Sequence, residues 1–150
     1  FLHAFTNVQY AYVFIQDITI TNCVGNLGGG LSGQLSLFLQ NTRWINNSAD
    51  RGGAIYLAGG RVYLTSERNQ FINNTAFFSG GAIEATNQSI VAMSSGYFFN
   101  GNSARGRPSN IFVADPSESW VFFPHARQPP EPITYPSNSS VVPVVPFPFA

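Results

Sequence analysis

One phrase is written three times in this chain. It reads WINNSADRGGAIY at residues 44–56, FINNTAFFSGGAI at 71–83 and, in degraded form, FFNGNSARGRPSNI at 98–111. Ile55, Ile83 and Ile111 fall 28 and 28 residues apart, and Trp44, Phe71 and Phe99 fall 27 and 28 apart. Asn47, Asn74 and Asn102 move in step with the aromatics. The stretch CVGNLGGGL, residues 23–31, reads as a compressed fourth copy, with Cys23 in the aromatic slot, Asn26 in the asparagine slot and Leu31 in the isoleucine slot. A period of this length marks a repeat architecture, in which each unit buries its apolar face only by stacking on the next.

Short β segments fill each period. GGAIYL, RVYLTS and NQFINN run through residues 52–74, bounded by Gly, Arg-Asn and Asn-Asn turn signals; GAIEAT, SIVAM and GYFFN follow in the next period. Three strands in about 27 residues, with no helical periodicity, predict one turn of a parallel β-helix. Each coil would lie ~4.8 Å from the last. The expected fold is therefore all-β: a right-handed parallel β-helix of about four to five coils over residues 1–123, with an extended Pro-rich tail over 124–150.

Stacked coils turn repeated slots into ladders. Leu31, Ile55, Ile83 and Ile111 form an expected aliphatic column, and Trp44, Phe71 and Phe99 an aromatic one, closed at one end by Cys23. On a second face Val62 and Leu64 are expected above Leu37 and Leu39 and below Ile90 and Ala92. Asn26, Asn47, Asn74 and Asn102 fall at a corner, where amides can bond to one another and to turn backbone. The Gly-Gly pair suits a corner that needs positive φ or has no room for a Cβ. All of these read as structural residues.

The pairing of GGAI (Gly52-Gly53-Ala54-Ile55 and Gly80-Gly81-Ala82-Ile83) with FxxN (Phe71-Ile72-Asn73-Asn74) resembles the polymorphic outer-membrane protein repeat of chlamydial autotransporters. It is similar also to repeats of right-handed β-helix, pectate-lyase-like extracellular proteins of algae and protists. The match covers residues ~23 to 111, with Trp44 in place of Phe in one copy and PSNI in place of GGAI in the last. The resemblance implies a surface-exposed, adhesive or structural β-helix. No C-terminal membrane barrel follows the repeats, which with the sequons below points to a secreted eukaryotic protein.

Charge is sparse: seven Arg, no Lys and seven acidic residues. A neutral chain without a basic cluster is a poor ligand for phosphate backbones, so nucleic acid is set aside. No stretch approaches the ~20 apolar residues of a membrane helix. One Cys makes no internal disulfide and says nothing of compartment. Asn-x-Ser/Thr tripeptides at Asn46, Asn73, Asn87 and Asn138 are candidate glycosylation sites and favour an extracellular location.

Eight of the ten prolines lie after Phe123. Proline cannot donate to a β ladder, so this tail favours extended or polyproline II backbone. Its last residues are apolar, with Val141, Val142, Val144, Val145, Phe147 and Phe149 between prolines. Left in water that would be an adhesive strip, so a docked, assembly-forming segment is expected.

Chemistry finds little purchase. Inverting glycosidases need two carboxylates ~6.5 to 9.5 Å apart. Asp17, Asp50, Asp115, Glu67, Glu84, Glu118 and Glu131 do not recur at one slot of adjacent coils. His3 and His125 lie outside the repeats, no acidic or Cys/His cluster suits a metal, and Arg51 and Arg105 read as solvated charges. No catalytic residue, cofactor or metal is expected. The expected function is a non-enzymatic structural subunit of an extracellular or cell-surface filament, sheath or wall that assembles head to tail with copies of itself. The alternative is a carbohydrate-binding or adhesive module, with glycans or cell wall as partners and Tyr10, Tyr12, Tyr56 and Tyr63 as stacking platforms; a polysaccharide-active enzyme is the third and least favoured reading.

Overall fold

A computed structural model describes residues 2–4, 12–59, 61–64, 68–87, 89–93, 97–114, 120–122 and 133–134. Strand β1 (Leu2–Ala4) precedes a first turn made of β2 (Tyr12–Gln16), β3 (Thr19–Thr21), β4 (Val24–Leu27) and β5 (Leu31–Gly33). The second turn is β6 (Ser36–Gln40), β7 (Arg43–Ile45), β8 (Ser48–Arg51) and β9 (Ile55–Ala58). The third is β10 (Arg61–Leu64), β11 (Asn69–Ile72), β12 (Thr75–Ser79) and β13 (Ile83–Thr86). A fourth, irregular turn holds β14 (Ile90–Met93), β15 (Tyr97–Asn100), β16 (Ser103–Ala104), β17 (Arg107–Pro108) and β18 (Ile111–Val113), followed by β19 (Trp120–Phe122) and β20 (Ile133–Thr134). Among the described residues there is no helix, and so none long and apolar enough to cross a membrane.

The strands stack as four sheets around one core, parallel throughout except for the β16–β17 pair. Sheet A runs β1-β5-β9-β13-β18-β20, sheet B β19-β14-β10-β6-β2, sheet C β15-β11-β7-β3 and sheet D β17-β16-β12-β8-β4. The chain is thus a parallel β-solenoid, as its repeats require. The expected four to five coils resolve into three complete turns, the irregular fourth and partial rungs at the ends.

Each turn has four strands where the sequence suggested three. The missed bend is a single residue. Asn22, Asn46 and Asn73 take φ of 55°, 53° and 53°, and Gly101 takes 65° at the next step, so one left-handed residue turns the chain from sheet C to sheet D. Asparagine tolerates that region better than other side chains. No loop separates FINN from TAFF, and the run reads in sequence as one strand with a turn.

The core is filled by complementary columns. Register stacks Leu31 on Ile55, Ile55 on Ile83 and Ile83 on Ile111, all fully buried. In sheet C, Trp44 and Phe71 lie parallel at 6.1 Å between ring centroids, and Phe71 and Phe99 at 4.8 Å. The column facing them from sheet D is small: Gly25, Ala49, Ala76 and Ala104. Large rings in one sheet and near-absent side chains in the next fill the same interior width, which close packing demands. Full burial of each large ring or aliphatic chain is worth about 1.5–3 kcal/mol, so these columns carry most of the folding force.

Three expected positions shift. Val62 pairs with Val91 and Leu64 with Met93, not with Ile90 and Ala92. The corner from sheet A to sheet B lengthens along the chain: Leu31 to Leu37 is 6 residues, Ile55 to Val62 is 7 and Ile83 to Val91 is 8. A fixed step therefore slips by one. The aromatic column is closed not by Cys23 but by Ile20, which pairs with Trp44. The third shift is in the backbone register: β20 pairs with β18, with Ile133 opposite Ile111, only 22 residues later and inside the segment read as tail. Asn138, Val141, Val142, Val144, Val145, Phe147 and Phe149 lie outside the described residues.

Candidate functional site

The asparagine corner is a continuous hydrogen-bonded ladder. Asn47 donates through both its backbone N–H and Nδ2 to Asn74 Oδ1, each at 3.0 Å. Asn74 does the same to Asn102 Oδ1, at 2.9 and 3.0 Å. Each Nδ2 donates also to a carbonyl of the preceding turn: Asn47 to Ile20, Asn74 to Trp44 and Asn102 to Phe71. Those carbonyls belong to β3, β7 and β11, paired in the strand ladder, so each asparagine amide adds a side-chain donor to a carbonyl of the neighbouring turn. Asn26 has no place here. It is exposed in β4, and the first-turn position belongs to Cys23, whose N–H donates to Asn47 Oδ1 at 3.1 Å. At the other end Asn102 Nδ2 donates to Asn110 Oδ1 at 3.0 Å.

That closing contact accounts for the degraded third phrase. The first glycine of each pair has positive φ, at 62° for Gly52 and 65° for Gly80. The second has no room for a side chain: a Cβ on Gly53 would lie 2.1 Å from Gly81 O, and one on Gly81 2.2 Å from Ser109 O. Before Ser109, Arg105 and Gly106, both at positive φ, turn the chain from β16 into the antiparallel strand β17. Two successive left-handed residues make a type I′ hairpin turn. Sheet D thus ends in a strand containing Pro108, which lacks an N–H and blunts an edge.

A second polar corner escaped the sequence reading. Thr42 and Asn69 are buried, and Asn69 Oδ1 accepts from Thr42 N at 3.1 Å and Thr42 Oγ1 at 2.9 Å. Trp44 Nε1 donates to Thr42 Oγ1 at 2.9 Å, which is how an indole fits a slot otherwise given to phenylalanine. The signal was available: Thr42 and Asn69 each stand five residues before a ladder asparagine.

Glu84 is fully buried on the outward row of sheet A, in register with Tyr56. Ser79 Oγ donates to Glu84 Oε2 at 2.5 Å. The Arg51 guanidinium approaches Oε1 at 2.6 Å, as a charge contact rather than an aligned hydrogen bond. Burial pushes the Glu84 carboxyl above its ordinary value, and the Ser79 bond and Arg51 charge oppose that rise without cancelling it. Arg51 is therefore a paired charge, its side chain still 39% exposed; it lies 5.7 Å from the Tyr56 ring centre. Tyr56 is buried too, which removes it from the candidate stacking platforms. The sequence placed Glu84 among unconnected acids because its partners sit 33 residues earlier and 5 residues earlier.

The surface features are apolar. Of eight large hydrophobic side chains exposed among the described residues, Tyr12, Phe14, Ile18, Val24 and Leu27 belong to the first turn. There, among the described residues, β2, β3 and β4 are the outermost strands of sheets B, C and D. Phe14 is 74% exposed; one face of its ring stacks on Phe38 at 4.6 Å. Phe77 and Phe78 stand out from β12, where one extra residue between Ala76 and Ser79 shifts the register against β8. Their rings meet edge to face at 4.8 Å. With Arg105 they border an open groove of about 580 Å³ over sheet D.

The candidate glycosylation residues Asn46, Asn73 and Asn87 are all exposed and all at corners of positive φ. Asn46 and Asn73 precede the buried Asn47 and Asn74 at the same slot of neighbouring turns.

Fold and site together define a class, the parallel β-solenoids. Compared with family models, curated proteins and solved structures, the chain finds a match in none of the three.

Proposed function

We propose that the chain is a non-enzymatic structural subunit of an extracellular or cell-surface filament, sheath or wall, and that it assembles head to tail. The observation that carries this reading is the first turn. Three outermost parallel strands there coincide with five exposed large apolar side chains. Unpaired strand edges recruit further strands, and an apolar end strengthens the recruitment. The opposite end differs, with sheet D turned back at Pro108 and sheets A and B ending at β20 and β19. Unlike ends favour a heterologous contact that propagates instead of closing.

The extracellular location draws support from Asn46, Asn73 and Asn87, which are accessible for glycosylation. The kinship with polymorphic outer-membrane repeats rests on the GGAI and FxxN phrases, whose glycines and asparagines have the corner roles described above. A non-enzymatic role suits Glu84, the one carboxyl closed from solvent among the described residues, because Arg51 and Ser79 occupy it.

The carbohydrate-binding alternative keeps Tyr12, which is 58% exposed, while Tyr10 lies outside the described residues. A sugar needs a free ring face, and Phe14 stacks on one face of Phe38. Multi-angle light scattering tests the main reading. The wild-type chain should form multimers that grow with concentration, and Phe14→Lys/Val24→Lys should shift it to monomer with its circular dichroism unchanged. Wild-type chain that stays monomeric at every concentration overturns the proposal.

A further inference from the structure

The groove over sheet D is built like a receptor for an extended apolar strand. It is lined by the exposed Phe77–Phe78 pair on one side and by Ser48, Thr75 and Arg105, with the backbone of the core residues Ala49 and Ala76 behind them. Among the described residues, no hydrogen bond or ion pair engages the side chains of Ser48, Thr75 or Arg105. All three are donors. The bulge that displays the two rings belongs to the third turn alone: β8 has Asp50 and Arg51 where β12 has Phe77, Phe78 and Ser79. The ladder needs no such insertion, so packing of the solenoid does not explain it.

The chain itself contains a segment of matching chemistry. VVPVVPFPF, residues 141–149, has three prolines and six large apolar residues, with a Pro143-x-x-Pro146 spacing. A polyproline II strand has about three residues per turn, so Val141, Val144 and Phe147 would share one face at intervals of ~9 Å. It makes no internal hydrogen bonds, and its carbonyls need outside donors. An aromatic wall with a few convergent donors is how such strands are held.

We infer that this groove receives residues 141–149 of a second copy of the chain. The inference rests on the end-to-end reading above and names the contact that secures it. Thr134 lies on the outermost strand of sheet A, and 16 residues follow it. At ~3.1 Å per residue they reach about 50 Å. In a neighbour seated by its first turn, β8 and β12 lie one and two strands in from β4, the outermost described strand of sheet D, roughly 5–10 Å away.

Cysteine cross-linking of the full chain tests this. Cys23→Ser, Phe78→Cys and Phe147→Cys are combined, the protein is oxidised at assembling concentration, and products are separated without reductant. A ladder of chain multiples is expected, falling at least tenfold when either introduced substitution is reverted. Should Phe78→Cys impair folding, Thr75→Cys takes its place, since Thr75 is exposed beside the same groove. A cross-linked monomer puts the segment on its own chain and overturns the inter-chain assignment. Multimers by light scattering without cross-links remove the groove and leave end-to-end assembly standing. Monomers without cross-links remove both.

Discussion

Asn47 and Asn74, 27 residues apart in sequence, are joined twice: the backbone N–H and the side-chain Nδ2 of Asn47 both reach Asn74 Oδ1 at 3.0 Å. Removing the Asn74 side chain takes the acceptor from both donors, and takes from the Trp44 carbonyl the second of its donors. Each buried polar group left unsatisfied costs roughly 1–3 kcal/mol. Asn74→Leu should therefore destabilise by about 3 kcal/mol or more. Asn73→Gln concerns an exposed residue at positive φ and should cost about 1 kcal/mol, the strain of a left-handed glutamine. Urea unfolding midpoints measure both; equal midpoints would contradict the ladder.

Glycine positions separate crowding from strain. A Cβ at position 53 meets a backbone carbonyl at 2.1 Å, whereas one at Gly106 meets nothing within 4 Å. Gly53→Ala should cost about 3 kcal/mol, at the top of the usual overpacking range because the contact is backbone. Gly106→Ala should cost about 1 kcal/mol through its φ of 68°. Thermal unfolding of the two variants should keep that order.

Much of the fold was legible because the ladders impose it. Ile55, Ile83 and Ile111 recur at a constant step since consecutive rungs of sheet A must face one another, and Asn47, Asn74 and Asn102 recur since each satisfies the next. Other features left weaker traces. The bend at Asn46 is a single left-handed residue, so a corner passed for strand. Cys23 replaces an asparagine where only its backbone N–H is needed, so side-chain identity misled the alignment and put Asn26 in its place. Ile133 sits between prolines, which masked its registration on Ile111. The Glu84 contacts join turns at positions with no repeating residue type, and nothing in the spacing announces them.

Glu84 gives the solenoid a pH dependence of definite sign. Its folded carboxyl titrates above the ordinary value of 4.5 because burial disfavours the charge. Between that value and the raised one, the native state holds more protons than the unfolded chain. Stability from this group is then present below 4.5 and is lost as pH rises through the folded value. Glu84→Gln, which keeps the shape and cannot ionise, should flatten that part of the profile. Arg51→Met should steepen the loss at neutral pH by leaving the carboxylate unpaired. Chemical denaturation across the acid-to-neutral range reads all three proteins, and parallel profiles for wild type and Glu84→Gln would contradict the assignment.

Glycans, in material from a secretory host, are expected on Asn46 and Asn73, the equivalent exposed corners of neighbouring turns. Intact mass should fall on enzymatic deglycosylation. Ser48→Ala and Thr75→Ala should each remove one glycan, because each deletes the hydroxyl of one tripeptide. An unchanged mass would count against the secretory assignment.

Fibre diffraction from oriented assemblies bears most directly on the proposal that the first turn propagates the solenoid from chain to chain. End-to-end stacking sets every strand across the filament, so the ~4.8 Å interstrand reflection should lie on the meridian. With five to six strands per chain in sheets B and A, the axial subunit repeat should be roughly 24–29 Å. A 4.8 Å reflection on the equator, which would mean solenoids packed side by side across the fibre, or material that never forms an oriented fibre, would contradict it.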